Sequence, residues 1–172
     1  MSKVALVVGG GRNLGAFLSS GLADAGYKVA VADLDGASAE ESAAAIAEQF
    51  GQENVMAVQA NSTDEADVER MVGAVAERFG RIDLLVYNAG VAQAAKIDVF
   101  SLDAWKRSID VNLTGYFLCA RAVSKVMIKQ NSGRIIQINS KSGKVGSKHN
   151  SGYSAAKFGG VGLTQSLALD LA

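Results

Sequence analysis

Tyr153 and Lys157 stand four positions apart in Tyr153-Ser154-Ala155-Ala156-Lys157, so a helix places both on one face. An ammonium beside a phenol favours the phenolate and draws its pKa down from about 10. Such a phenol can exchange a proton with an alcohol or carbonyl oxygen near neutral pH. Ser140, thirteen residues earlier, follows an apolar strand-like run, and its hydroxyl is suited to hydrogen-bond the same oxygen. A Tyr-x-x-x-Lys spacing also occurs on ordinary helix faces, so the reading depends on what accompanies it.

Oxidising an alcohol requires a hydride acceptor, and the amino-terminal segment has the pattern of a dinucleotide site. Gly9-Gly10-Gly11-Arg12-Asn13-Leu14-Gly15 joins the apolar run Val4-Ala5-Leu6-Val7-Val8 to a helical pattern. Glycines there let the backbone turn tightly and approach a pyrophosphate, while the helix amino end offers N–H groups and a positive dipole. The spacing resembles a G-x-x-x-G-x-G turn with Asn13 where the middle glycine would stand, and asparagine tolerates left-handed backbone angles. Asp33 ends the second strand, 18 residues beyond Gly15. Its carboxylate is placed to accept from the adenosine ribose hydroxyls and to repel a 2′-phosphate, which favours NAD over NADP. Arg12 argues the other way, since a guanidinium in this turn could meet that phosphate.

The elements that must position these residues alternate along the chain. Strands are expected at 4–8, 27–33, 55–58, 82–87 and 134–138, with helices over 14–25, 37–50, 64–79, 111–129 and from Tyr153 onward. Thr63 or Asp64 is an N-cap candidate, and Gly26, Gly51 and Gly80 are helix stops. This order implies an α/β Rossmann-type fold: one doubly wound parallel sheet with right-handed crossovers, a single domain over 1–172. The apolar helical pattern runs to Leu169-Asp170-Leu171-Ala172, so further C-terminal strands are expected beyond this segment. Trp105, Phe100 and Leu102 are expected to pack the helix before Asn112 against its neighbours. One of Tyr116 and Phe117 is expected in the core, with Cys119 as a small packing residue.

Together these residues resemble the short-chain dehydrogenase/reductase family. The resemblance spans the chain and is carried by the glycine turn, Tyr87-Asn88-Ala89-Gly90, Asn112, Ser140 and the Tyr153/Lys157 pair. It implies that Tyr153 is the general acid/base. Lys157 lowers its pKa and holds the nicotinamide ribose, Ser140 positions the substrate oxygen, and Asn112 organises a water leading to the lysine. It implies NAD contacts from Gly9, Gly11, Arg12, Asn13, Leu14, Gly15, Asp33, Asn61, Asn88, Ala89 and Gly90, with Tyr153 and Lys157. It also implies a homo-oligomer, a tetramer by family habit. Tyr87 departs from the family's first asparagine. Asn61 departs from an aspartate that meets the adenine, and its amide oxygen is expected to accept in its place.

Lys141, Lys144, Lys148 and His149 gather cationic groups just before Tyr153, which points to a phosphate on a polyol or sugar substrate. Asn150 is a candidate for the polyol hydroxyls; a solvated basic loop is the competing reading. Lys plus Arg and Asp plus Glu both total 17, so the chain has no global attraction to nucleic acid or an anionic membrane. One cysteine, the absence of a signal-peptide pattern and the lack of a long apolar run fit a cytoplasmic setting. The only histidine, His149, has no further ligand at metal spacing, so no metal site is expected. Two alternatives stay open: a dehydrogenase or reductase with no phosphate requirement, and an NAD-binding scaffold without turnover.

Overall fold

The computed structural model describes residues 2–172. Five strands, β1 (Val4–Val8), β2 (Lys28–Asp33), β3 (Val55–Gln59), β4 (Leu84–Tyr87) and β5 (Arg134–Gln137), form one sheet in the order β3-β2-β1-β4-β5. Every pairing is parallel. The helices are α1 (Asn13–Asp24), α2 (Gly36–Phe50), α3 (Glu65–Phe79), α4 (Leu102–Ile109), α5 (Gly115–Gln130) and α6 (Ser151–Asp170).

Side chains alternate across the pleat, so the sheet builds two cores. Leu6, Ala30, Leu85 and Tyr87 face Met71, Val75, Tyr116 and Val123 of α3 and α5. Ala5, Val7, Val29, Val31 and Val86 face Ala23, Ala39 and Ile46 of α1 and α2. All five residues of β1 are buried, as a central strand covered on both sides requires. Strand order reverses at β1, between β2 and β4, which opens a crevice at the carboxyl edge where such folds bind ligands.

Helix boundaries follow local chemistry. Asp64, not Thr63, caps α3 by accepting from the Asp67 N–H, and Gly80 ends it in a left-handed conformation. Asp35 and Ser101 cap α2 and α4 in the same way. β4 starts at Leu84 rather than residue 82, because Ile82 is tied instead to the Gln130 side chain by both its N–H and its carbonyl.

The expected helix over 111–129 is replaced by a longer path. α4 passes through a π-helical turn, Asp110–Thr114, into α5. One extra residue in this turn interrupts the regular ladder, and the Val111 and Asn112 carbonyls within it accept from side chains. Trp105 and Leu102 also depart from expectation: they are 38% and 65% exposed, while Phe100 packs against Gly152 of α6. Tyr116 and Cys119 are fully buried and Phe117 is 41% exposed, so the core takes one of the two neighbouring aromatics. β5 is an edge strand, and a groove of about 700 Å³ runs beside it, lined by Tyr116, Met127, Ile135, Leu167 and Leu171. No helix of the described residues is long and apolar enough to cross a membrane.

Candidate active site

The glycine turn is built by close approach. Gly9 has φ +75, and a Cβ there would stand 2.7 Å from the Ala89 N–H nitrogen. A Cβ at Gly15 would collide with the Gly9 carbonyl oxygen. The Asn88 side chain donates to that same Gly9 oxygen at 2.8 Å, and the Gly9, Asn88 and Ala89 N–H groups bond to the ends of β1 and β2. Asn13 takes the left-handed conformation its position demands, φ 49.

Asp33 is buried at the end of β2. One of its carboxylate oxygens accepts from the Gly11 N–H at 3.0 Å and the other from the Asp35 N–H at 3.1 Å. Each oxygen keeps a second lone pair. Arg12 is turned to Asp35 at 3.2 Å, an exposed pair, so its guanidinium has an acidic partner within the protein. The Ser38 side chain and backbone N–H groups, with a smaller effect of Arg12, hold the Asp35 carboxyl below its ordinary pKa.

Beyond the turn lies a cleft of about 830 Å³ bordered by Arg12, Asp33, Asn61, Asn88, Gly90 and Val111. Gly9, Asn13, Leu14 and Ala89 also line it, as do Lys106 and Arg107 of α4, which sequence reading did not single out. Only the tertiary fold brings α4 over this cleft, so those two cations carry no local signature. The expectation for Asn61 changes. Its amide oxygen accepts from the Thr63 N–H at 3.0 Å and the Thr63 hydroxyl at 2.8 Å. Both acceptor sites are therefore used, and the amide N–H₂ is the group left for a ligand.

The four residues with expected chemistry come from three segments: the π-turn (Asn112), the stretch after β5 (Ser140) and α6 (Tyr153 and Lys157). Lys157 is buried on α6 and donates to the Ile138 carbonyl at 2.8 Å, with its ammonium 5.5 Å from the centre of the Tyr153 ring. Burial pulls its pKa down. Ser140 follows β5, and its oxygen accepts from the Ser142 N–H at 3.1 Å, which leaves the hydroxyl proton free to donate elsewhere. Asn112 is fully buried in the π-turn. Its N–H₂ donates to the carbonyls of Val91 (2.8 Å) and Ser108 (2.9 Å), and its amide oxygen accepts from the Val91 N–H at 3.3 Å. A Cβ built at Gly90 would stand 2.9 Å from the Asn112 amide oxygen and 4.0 Å from the Lys157 ammonium. The loop after β4 thus joins the cleft to the buried lysine.

Tyr87, the departure from the family's asparagine, has a structural place. Its hydroxyl donates to the Val111 carbonyl at 2.6 Å and lies 3.1 Å from the Ser62 hydroxyl. Burial pushes its phenol pKa far up, so it stays protonated and a donor. It ties β4 to the residue just before Asn112.

The basic loop before Tyr153 divides in two. His149 and Asn150 line a cavity of about 350 Å³ together with Lys96, Asp98, Ser147 and Ser151. His149 takes a left-handed conformation, φ 59, and its carbonyl accepts from the Ala95 N–H at 2.8 Å. Lys141, Lys144 and Lys148 are exposed and do not line this cavity. Lys96 joins it through a fold-level contact between two loops that no short motif announces.

Comparison with known proteins places this arrangement. The short chain dehydrogenase family model matches residues 3–172. Sorbitol-6-phosphate 2-dehydrogenase of Escherichia coli (strain K12) is 59% identical over 173 residues, covering 100% of this chain and 67% of that protein. A 3-oxoacyl-[acyl-carrier-protein] reductase of Synechocystis is 41% identical, covering 99% of this chain and 69% of that protein. Among solved structures, sorbitol-6-phosphate 2-dehydrogenase from Erwinia amylovora superposes with a TM-score of 0.96 at 63% identity, over 98% of this chain and 66% of that one. The chain thus spans about two thirds of the length of these relatives. With a parallel sheet reversing at β1, a glycine turn at that reversal, and Ser140, Tyr153 and Lys157 following β5, the chain belongs to the short-chain dehydrogenase family.

Proposed function

We propose that this chain carries the cofactor-binding and catalytic part of an NAD-dependent dehydrogenase that oxidises D-sorbitol 6-phosphate to D-fructose 6-phosphate. The observation that carries this reading is the 59% identity across the whole chain to the E. coli sorbitol-6-phosphate enzyme, against 41% to the Synechocystis reductase.

The residues present fit a dinucleotide. A cradle at Gly9 and Gly15 that a Cβ would fill supports a pyrophosphate against the amino end of α1. Asp33, with a lone pair free on each oxygen, supports a ribose diol, and the pairing of Arg12 with Asp35 supports NAD over NADP. The cofactor, when bound, supplies the hydride acceptor. Tyr153 takes the proton of the substrate hydroxyl as the carbonyl forms, and gives it back in the reverse direction. Ser140 donates its free hydroxyl proton to the reacting oxygen and keeps it in place. Lys157, as an ammonium beside the Tyr153 ring, favours the phenolate. Asn112 holds the loop after β4 through both backbone groups of Val91.

His149, Asn150 and Lys96 face the phosphorylated polyol in this reading, with Lys141 and Lys148 as flanking charges. A homotetramer is part of the same family-based proposal.

The test is to supply the full-length protein with NAD or NADP and a set of polyols with and without phosphate, following reduced-nicotinamide absorbance. Turnover confined to NAD and sorbitol 6-phosphate supports the reading. Equal turnover of unphosphorylated sorbitol overturns the phosphate requirement. Unchanged KM in Lys96→Ala, Lys141→Ala and Lys148→Ala variants rejects the cationic subsite.

A further inference from the structure

Two amide side chains link the three segments that carry Asn112, Ser140 and the Tyr153/Lys157 pair. Gln137, the last residue of β5, donates its N–H₂ to the Asn112 backbone carbonyl at 3.1 Å. Its amide oxygen accepts from the Asn139 N–H₂ at 3.3 Å. Asn139 also donates to the Lys157 carbonyl at 3.1 Å, and its own oxygen accepts from the Ser140 N–H at 2.8 Å. The two ends of the chain are backbone groups of fixed polarity, a carbonyl at Asn112 and an N–H at Ser140. The orientation of both amides follows from those ends.

Glycines make room for the pair. A Cβ at Gly160 of α6 would collide with the Gln137 amide oxygen, and one at Gly143 would collide with the Asn139 amide oxygen. The Asn112 carbonyl that receives Gln137 lies within the π-turn.

We propose that Gln137 and Asn139 are positioning residues that hold Asn112, Ser140 and Lys157 in register through one polar bridge between the π-turn, the β5 terminus and α6. The proposal rests on those residues being the catalytic set of the preceding reading. Neither amide touches the reacting atoms. Each acts by fixing the backbone from which a catalytic side chain projects, where a displacement of about 1 Å has a large effect on rate.

The experiment compares Gln137→Leu, Gln137→Glu, Asn139→Leu and Gly160→Ala in the full-length protein. It measures kcat, KM, NADH affinity by fluorescence, thermal midpoint, and hydrogen exchange at the Ser140 amide. Gln137→Glu keeps the shape but sets a carboxylate oxygen against the Asn112 carbonyl. The bridge therefore predicts a loss of kcat of about 10- to 100-fold in both Gln137 variants, with KM and NADH affinity within about twofold. Gly160→Ala reaches the same loss by displacing Gln137 without changing it. Asn139→Leu speeds exchange at Ser140 by about tenfold or more, because that N–H loses its acceptor.

Normal kcat in Gln137→Glu and Gly160→Ala overturns the proposal. So does a fall in kcat that tracks loss of NADH binding and thermal midpoint across all four variants. The exchange measurement needs no substrate, so protected Ser140 exchange in Asn139→Leu also overturns the bridge. A parent protein inactive on sorbitol 6-phosphate, but with the expected exchange response, fails the proposed substrate while supporting the bridge.

Discussion

Lys157 donates its ammonium to the carbonyl of Ile138 at 2.8 Å, across 19 residues of sequence. This bond fastens α6, which carries Tyr153, to the segment leaving β5, two residues before Ser140. The lysine is 3% exposed, and this carbonyl is its hydrogen-bond partner among the described residues.

A cation so placed carries a desolvation penalty. Desolvation pulls the Lys157 pKa below its ordinary value, so the penalty of the charged form is present below the folded pKa and is relieved as pH rises through it. Lys157→Met, similar in length and apolar, is expected to match or exceed the parent in thermal midpoint, by up to about 4 °C. Turnover is expected to fall by about 1,000-fold or more. Thermal unfolding and initial rates on the same preparation check both halves; a midpoint well below that of the parent refutes the first.

In the proposed reading, two neighbouring acids with different tasks govern the cofactor preference. Asp33→Ala removes the acceptor of Gly11 and Asp35 N–H groups and the proposed ribose partner at once. The NAD-over-NADP ratio of kcat/KM is expected to fall by about 100-fold. Asp35→Ala leaves Asp33 in place but frees Arg12 from its 3.2 Å pair. It is expected to improve use of NADP relative to NAD by about 3- to 10-fold. Steady-state kinetics with both cofactors decide, and an unchanged ratio in Asp35→Ala removes Arg12 from the argument.

Asn88 holds the glycine turn from the end of the adjacent strand β4, donating to Gly9 at 2.8 Å. Asn88→Ala leaves the carbonyl of a tightly packed turn without that donor, at a cost of about 1–2 kcal/mol. NADH affinity is expected to weaken about tenfold while the far-ultraviolet spectrum stays unchanged. Fluorescence titration and denaturant unfolding measure the two effects.

At the opposite edge of the sheet, Asp83 receives Arg81 (2.8 and 2.6 Å) and the Val4 N–H (2.8 Å). Arg81, as hydrogen-bond donor, holds the Asp83 carboxyl below its ordinary value of 3.8. A depressed folded pKa contributes stability that is present above the unfolded pKa and lost as pH falls through the folded one. Asp83→Asn is therefore expected to cost about 2 kcal/mol at pH 7. The gap between variant and parent is expected to narrow below about pH 4. Urea unfolding at pH 7 and pH 3.5 reads the difference; a gap that widens in acid contradicts the assignment.

Tyr87→Phe removes one hydroxyl and leaves the Val111 carbonyl and Ser62 hydroxyl without it. A loss of about 1–2 kcal/mol in stability is expected. A smaller drop in kcat should accompany it, because the π-turn carrying Asn112 loosens. A variant as stable and active as the parent excludes this anchoring role for Tyr87.

Local chemistry in the chain determined much of this protein. Strand–helix alternation, buried β1, the αL place of Asn13 and the cap at Asp64 follow from apolar period, backbone tolerance and side-chain hydrogen bonding, which act within a few residues. The spacing of Tyr153, Lys157 and Ser140 was legible for the same reason. The π-turn was not, because it has long-range partners: Tyr87 donates to its Val111 carbonyl and Gln137 to its Asn112 carbonyl. Trp105 reads as a packing residue by type, yet its helix lies at the rim and leaves it partly exposed. Asn61 reads as an acceptor until Thr63 is seen to occupy its oxygen. Lys96 beside His149, Arg12 turned to Asp35, and the bridge through Gln137 and Asn139 arise only when separate loops meet. Sequence spacing determines which groups share a face of one element; which carbonyl, carboxylate or amide each group finally meets is decided by how those elements pack.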